Sequence, residues 1–596
     1  METNDYTFKV NLGGMIELLS EHLYSSPNVF VRELLQNATD AVSARILADN
    51  AYDPKSAVIE IEVEPERRIV FRDNGTGLTE DEIHRFLSVI GQSSKYDLGH
   101  KLAEGDYIGR FGIGLLSCFM VSDTIIVRTK SYRTPDITLE WHGNADGTYT
   151  ITSADDLPSV GTEIILEYNA DATKDSASAY FHADEIANLV YYYGLFLKYP
   201  VYVIDGDNRT RLNLQMKLDA DKNKALCLKT GKMFLGDDFL DCFNLRSPTG
   251  LFSGIAYVLP YPVAATTHNM HRIYLKNMLL TENGEKLLPE WAFFIKCMIN
   301  TDRLTPTSSR EDFYENEALS TARDEIAECI ADYLEGLEIH NDKLLREIVS
   351  VHSLAVKSVI ASDDGLSDIL LPYVNFETSL GILSAREISE FGTSAFYTTD
   401  INQFRQLAPL YTQRSELLIN AGYVYEAPII RKLADKSFET DIEMLTDADI
   451  ELILEDSDED DNEKLSAFLH EAERVLRKYD CKPAVKQFRP TDIPALYTIN
   501  EDAVQTRQIR RSKETVTGVF SDMLSSFEED LHSKARSCLY FNTNNLVVKK
   551  LLDSGASDKT RASIEILYVN ALLSGHFPLL HDEMKTLNEN LYLLLT

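Results

Sequence analysis

Arg32-Glu33-Leu34-Leu35-Gln36-Asn37-Ala38-Thr39-Asp40-Ala41 sets a helix with two unlike faces. At about 100° per residue, Val31, Leu34, Leu35, Ala38, Ala41 and Val42 gather on one side, and Glu33, Asn37 and Asp40 gather on another. Ser26-Pro27 ahead of it supplies an N-cap and a first-turn proline. Alone, such a polar stripe is a solvated outer face. Its meaning changes with two glycine signatures that follow in order, Asp73-Asn74-Gly75-Thr76-Gly77 and Gly109-Arg110-Phe111-Gly112-Ile113-Gly114. The first ends a run, 68–72, that reads as a strand; the second opens an apolar segment, 115–121, that reads as a helix.

Each residue type suits one part of a nucleotide site. The Asn37 side-chain oxygen is a hard ligand for Mg²⁺, which keeps most of its waters and takes few protein ligands. Glu33, one turn earlier, is then left to orient or deprotonate a water. A carboxylate at Asp73 can accept from the exocyclic amine of adenine, while Gly75 and Gly77 let the backbone approach the ring. Amides freed by Gly109, Gly112 and Gly114 at a helix start can cradle phosphate oxygens. Thr162, following Gly161 at the start of a strand, adds a polar contact. The glycine spacing is neither the dinucleotide fingerprint nor the Walker loop. Asp-Asn-Gly alone is an ordinary turn, but the ordered set implies ATP with Mg²⁺.

Bulk properties narrow the class further. The formal charge of −36 argues against a dedicated nucleic-acid binder, whose footprint is basic. Seven scattered cysteines form no C-x-x-C pair, so neither a disulfide framework nor a zinc ribbon is indicated. The start, Met1-Glu2-Thr3-Asn4-Asp5, is unlike a signal peptide. The apolar stretch 189–204 is interrupted by Lys198 and Pro200 and is too short to span a bilayer. A cytoplasmic location with no nucleic-acid or membrane partner is expected.

With 596 residues, three to four domains of about 150 each are expected. The organisation reads as 1–210, 211–484 and 485–596. In the first, 57–63 and 68–72 form a hairpin, and 125–129, 137–141, 148–153 and 162–168 continue an antiparallel sheet closed by a helix over 189–197. The polar stretch 205–224 reads as a linker. In the second, 252–259 and 272–280 read as strands, 290–299 as an apolar helix, and 394–425 as a small αβ subdomain. The acidic run 455–461 reads as a solvated loop before a helix over 463–478. In the third, Ile564, Leu567, Tyr568, Ala571 and Leu572 make one helical stripe, and Met584, Leu587, Leu591 and Leu594 another. Such stripes are core or dimer interface.

The chain resembles the ninety-kilodalton heat-shock chaperones, of the GHKL ATPase superfamily, in a divergent bacterial form. Residues 8–45, the segment 108–117, Met270-His271-Arg272-Ile273-Tyr274-Leu275-Lys276-Asn277, Leu288-Pro289-Glu290-Trp291, Ser308-Ser309-Arg310-Glu311, the run 538–549 and Ala571-Leu572-Leu573-Ser574-Gly575 carry the likeness. It implies a multidomain α/β (α+β) chain: an N-terminal ATPase α/β sandwich with a lid, an αβα middle domain, and a mainly helical C-terminal dimerisation domain. It also implies an ATP-driven homodimer that serves client proteins, with other chaperones as further candidate partners. Glu33 and Arg310 are the catalytic candidates, the latter reaching the γ-phosphate. The candidate ATP contacts are Asn37 (also on the metal), Asp40, Asp73, Gly75, Gly77, Leu78, Lys95, Gly109, Arg110, Phe111, Gly112, Ile113, Gly114 and Thr162.

Departures from the pattern keep other readings open. Gln92 stands where the family usually has lysine, with Lys95 nearby as a substitute, and Thr307 and Tyr314 replace Asn and Gln in the arginine loop. A nucleotide-binding scaffold with a vestigial ATPase is one alternative. A mismatch-repair or topoisomerase ATPase is another, disfavoured by the charge. His268-x-x-His271 could be a metal pair but precedes a strand, and Cys118 reads as packing.

Overall fold

The amphipathic pattern near the N-terminus folds as α1 (Val29–Ala48), which turns Phe30, Val31, Leu34, Leu35 and Ala38 into the core. In the computed structural model the described residues are 26–87, 114–168, 178–214, 218–307, 312–362, 364–456, 462–515 and 537–595. They belong to two compact units, 1–340 and 341–596. Ser26 and Pro27 form the turn that leads into α1, not its cap and first residue: Ser26 O accepts from Val29 N and Pro27 O from Phe30 N.

In the first unit α1 packs on a sheet of β1 (Ile59–Glu64), β2 (Arg68–Asp73), β3 (Thr124–Lys130), β4 (Thr138–Asn144), β5 (Tyr149–Ser153), β6 (Gly161–Glu167), β7 (Val201–Asp205) and β8 (Asn208–Arg211). The order is β5-β4-β3-β6-β2-β1-β7-β8. Alternation explains the pairing: Ile59, Ile61 and Val63 point inward from β1, and Ile125 and Val127 from β3. The hairpin β1–β2 closes with Glu64 opposite Arg68, as its sequence implies. The closing helix is α2 (Ala183–Gly194), which begins six residues before the expected 189. The expected linker is a correction. Its first residue, Asp205, finishes β7, the chain turns through Gly206 at φ 57° and returns as β8, and α3 (Ala220–Leu235) follows. Polar composition there marks a sheet edge, where β8 is exposed along its length.

A second sheet in the same unit holds β9 (Asp241–Arg246), β10 (Ser253–Val258), β11 (Met270–Leu275), β12 (Met278–Asn283) and β13 (Ile295–Thr301), ordered β12-β11-β13-β10-β9. The expected helix over 290–299 is instead the approach to β13 and most of that central strand. A strand buried on both faces reads as a continuous apolar run, which periodicity cannot tell from a helix. The expected strand 272–280 is a hairpin, turned by Lys276 and Asn277 in the left-handed region. α4 (Glu317–His340) ends the unit. The two sheets share packing: Met278 sits in the core of the first, and Leu195 in that of the second.

The second unit contains the expected αβ subdomain: β14 (Asn375–Thr378), β15 (Gly381–Ser384), β16 (Ala395–Thr398), β17 (Leu417–Asn420) and β18 (Ile442–Met444). α5 (Ile401–Arg414) crosses between the parallel strands β16 and β17. Next come α6 (Asn462–Leu476), β19 (Cys481–Lys486), β20 (Ala495–Ile499), α7 (Glu501–Thr515), β21 (Ser537–Asn542), α8 (Asp558–Ser574) and α9 (His581–Leu595). Most of the acidic run, 457–461, lies outside the described residues.

The C-terminal stripes behave differently from each other. Ile564, Leu567, Tyr568, Ala571 and Leu572 on α8 are buried within the protomer's own core. On α9, Leu587 packs against that same core, whereas Met584, Leu591 and Leu594 of the expected stripe, and Leu595 after them, remain exposed.

Candidate nucleotide site

A solvated polar face would expose its carboxylates, and α1 does the opposite. Glu33 is 2% and Asp40 3% exposed, while Asn37 is half-buried. Arg32 Nη2 lies 3.5 Å from Glu33 Oε1. Gly114 backs directly onto Glu33, so a side chain at Gly114 would collide with that carboxylate. The segment after Gly114 is a 3₁₀ helix (Gly114–Met120), not the expected α-helix, and Ser117 Oγ closes its start by donating to Gly114 O at 2.6 Å. Cys118 is buried behind Glu33; burial and the neighbouring carboxylate push its thiol well above the usual range. It is an inert packing residue.

The second wall is built at the end of β2. Asp73 lies opposite Thr162 in the ladder and accepts from Gly75 N at 2.8 Å through Oδ1. No donor among the described residues reaches Oδ2. Burial raises its carboxyl to about 7, with Gly75 N–H and Arg45 pulling the other way. A half-buried carboxylate with one oxygen left open fits an adenine amine.

Gly75 has to be glycine because a Cβ would meet Ala41 Cβ of α1 at 2.6 Å. Gly77 adopts φ 60°, and a Cβ there would meet Ser131 Cα at 2.9 Å. The turn then ends on Thr129: Leu78 N donates to Thr129 Oγ1 at 2.8 Å, and Thr129 Oγ1 lies 3.2 Å from both Gly161 O and Thr162 Oγ1.

The structure thus brings together Glu33, Asn37, Asp40, Gly114, Asp73, Gly75, Gly77, Leu78 and Thr162. Lys95, Gly109, Arg110, Phe111, Gly112, Ile113, Gln92 and Arg310 lie outside the described residues. The flanks of 308–311 are paired: Thr307 N donates to Asp312 O at 2.8 Å and Tyr314 N to Thr305 O at 3.0 Å. Two residues were not found from sequence. Thr129 had a signal, a polar side chain in the inward register of Ile125 and Val127. Arg45, which binds the backbone of the Asp73 turn, had none, because its acceptors are carbonyls.

His268 and His271 do not share a ligand position. His271 is buried, held down to about 4 by burial, and accepts from Cys297 N at 3.2 Å. His268 is exposed beside Glu285. Among the described residues, no cluster of three or more His, Cys, Asp or Glu is placed to hold a metal. A Mg²⁺ held by Asn37 and phosphate oxygens needs no such cluster.

Residues 24–155 match the family model of histidine kinase-, DNA gyrase B- and HSP90-like ATPases, a span that takes in α1 and strands β1 to β5 of the first sheet. The fold and site therefore define a GHKL-type ATPase. Residues 261–439 match the Hsp90 protein model. The chain is 22% identical to the chaperone protein HtpG of Clostridium perfringens over 618 residues, 95% of this chain and 96% of the relative. It is 25% identical to that of Alkaliphilus oremlandii over 643 residues, covering 97% and 98%. With that of Chlorobium phaeobacteroides it shares 27% over 403 residues, 63% of this chain and 62% of the relative's length. The chain thus joins a GHKL-type ATPase segment to a segment that matches the Hsp90 protein model, and it is similar along nearly its whole length to HtpG chaperones. It is an ATP-dependent chaperone with ATPase activity. No helix among the described residues is long and apolar enough to cross a membrane.

Proposed function

We propose that ATP binds between α1 and the turn 73–78 and that its hydrolysis drives a dimeric clamp acting on client proteins in the cytoplasm. Asp73 receives the adenine amine, with Gly75, Gly77, Leu78 and Thr162 shaping the ring's seat. Asn37 holds Mg²⁺, which when bound offsets phosphate charge. Lys95 and the amides of 109–114 receive the phosphates. Glu33 orients the attacking water, and Arg310 meets the γ-phosphate when the middle segment closes. Residues 1–210 work as the ATPase part, 211–484 as the part that completes the site and meets clients, and 485–596 as the dimer base.

The observation that carries this reading is the burial of Glu33 against Gly114, next to half-buried Asn37. A carboxylate is costly to bury unless it is engaged, and here it stands where the phosphate loop ends. That same burial weighs against a vestigial site. The test is steady-state turnover and nucleotide affinity for wild type and Glu33→Ala. Retained affinity with lost turnover supports the reading; unchanged turnover removes Glu33 from the chemistry.

A further inference from the structure

The peptide plane between Asn74 and Gly75 is held from both ends. Its N–H, on Gly75, donates to Asp73 Oδ1 at 2.8 Å. Its carbonyl, on Asn74, accepts from Arg45 Nη1 at 2.9 Å. We propose that Arg45 is a positioning residue for adenine recognition, fixing through this one peptide the carboxylate that reads the base. The inference rests on the nucleotide site described above.

Arg45 is itself pre-set for the task. It lies on α1, three turns beyond Glu33, so it ties the adenine turn to the helix that carries the candidate water and metal residues. The same Nη1 also reaches Val160 O at 3.1 Å, just ahead of Gly161 and Thr162. Asp49 engages its Nε at 3.3 Å, and the guanidinium lies over the Tyr52 ring, 4.3 Å from the centroid. A planar fork held on one edge and stacked on a ring loses little freedom when it binds carbonyls. Asn74 is fastened as well: its Oδ1 accepts from Tyr52 OH at 2.9 Å and Val58 N at 3.0 Å, and its Nδ2 donates to Ser56 O at 2.6 Å.

Two effects follow from the geometry. A cation on the carbonyl polarises the amide, which strengthens its N–H bond to Asp73. The same positive charge favours the ionised form of Asp73, the form that accepts from an amine. Among the described residues, the ionisable groups coupled to Asp73 are Arg45 on α1 and Tyr52 in the loop after it. Arg72, next along β2, is engaged instead by Glu62 and Glu163.

The test measures ATP affinity of the full chain by calorimetry from pH 5.5 to 9 for wild type, Arg45→Gln, Arg45→Lys and Asp73→Asn, with circular dichroism as a check on folding. Arg45→Gln is expected to bind up to about tenfold more weakly at pH 7, with the deficit shrinking as pH rises. Its pH midpoint should move upward. Arg45→Lys keeps the charge and one donor and should return the midpoint to the wild-type position, which guards the test if the Gln variant folds poorly. An Arg45→Gln deficit equal at every pH, or none, overturns the inference while leaving the site intact. Wild-type affinity in folded Asp73→Asn overturns both.

Discussion

Gly114 faces Glu33 so closely that a methyl group on Gly114 would lie 3.3 Å from Glu33 Cδ and nearer still to Oε2. The glycine that ends the candidate phosphate loop therefore also sets where the candidate water-orienting carboxylate can stand. Gly114→Ala should move Glu33 without demanding an unusual backbone. A misplacement of about 1 Å at a reacting group can cost about a hundredfold. Turnover is expected to fall by about that factor while ATP affinity stays within a few-fold. Wild-type turnover in the variant would show that Glu33 relocates freely and that its position does not matter.

Asp73 gives the site a pH dependence whose sign can be worked out. Burial raises its carboxyl to about 7, above the unfolded value. For the empty protein the protonated form is the stabilising one: that contribution is complete below the ordinary carboxylate range and is lost as pH rises through about 7. Adenine reverses the preference, since its amine needs the ionised oxygen. ATP affinity should thus be about tenfold weaker at pH 6 than at pH 8, with roughly three-quarters of a proton released on binding near pH 6.5. Calorimetry in buffers of different ionisation enthalpy counts that proton. Asp73→Asn should lose the pH slope along with about ten- to a hundredfold in affinity, and a flat wild-type profile would contradict the adenine assignment.

The candidate site was legible as a cluster because its parts are side chains and glycines in order along the chain. Glu33, Asn37 and Asp73 each have a distinctive chemistry, and Gly75 and Gly77 are required by close approach to Ala41 and Ser131. Arg45 escaped because it acts on carbonyl oxygens, which every residue has. The hairpin 59–73 was legible from period-two alternation around a polar turn. β13 was not, since a central strand covered on both faces loses that alternation. The supposed linker failed for the opposite reason: an edge strand such as β8 is polar on both faces.

Arg310 is expected to act only when the middle segment closes on the nucleotide. Arg310→Ala should leave ATP affinity near wild type and slow hydrolysis by about 10²–10³, the range for removing one donor from a transition-state site. The paired flanks of its loop, Thr307 with Asp312 and Thr305 with Tyr314, indicate that the substitution will not disturb the β13 side of the fold. Pre-steady-state quench flow separates the steps. Equal losses in affinity and turnover would assign Arg310 to ground-state binding instead.

If the chain dimerises, α9 is the expected interface rather than both C-terminal stripes. Truncation before residue 564 would remove Ile564, Leu567, Tyr568, Ala571 and Leu572 from the protomer's core, so it would test folding more than dimerisation. The α9 stripe is different: Met584 is 48% and Leu591 44% exposed, with Leu594 and Leu595 beside them. Leaving such a face in water costs about 25 cal/mol per Å² of apolar surface. Pairing it across a two-fold axis with a second copy covers both faces at once. Leu591→Glu combined with Leu594→Glu should place charges in the middle of that pairing while sparing the α8 core, and light scattering at micromolar concentration should report a monomer with wild-type helix content. A double variant that remains dimeric would move the interface off α9, and a wild-type chain already monomeric would remove the clamp.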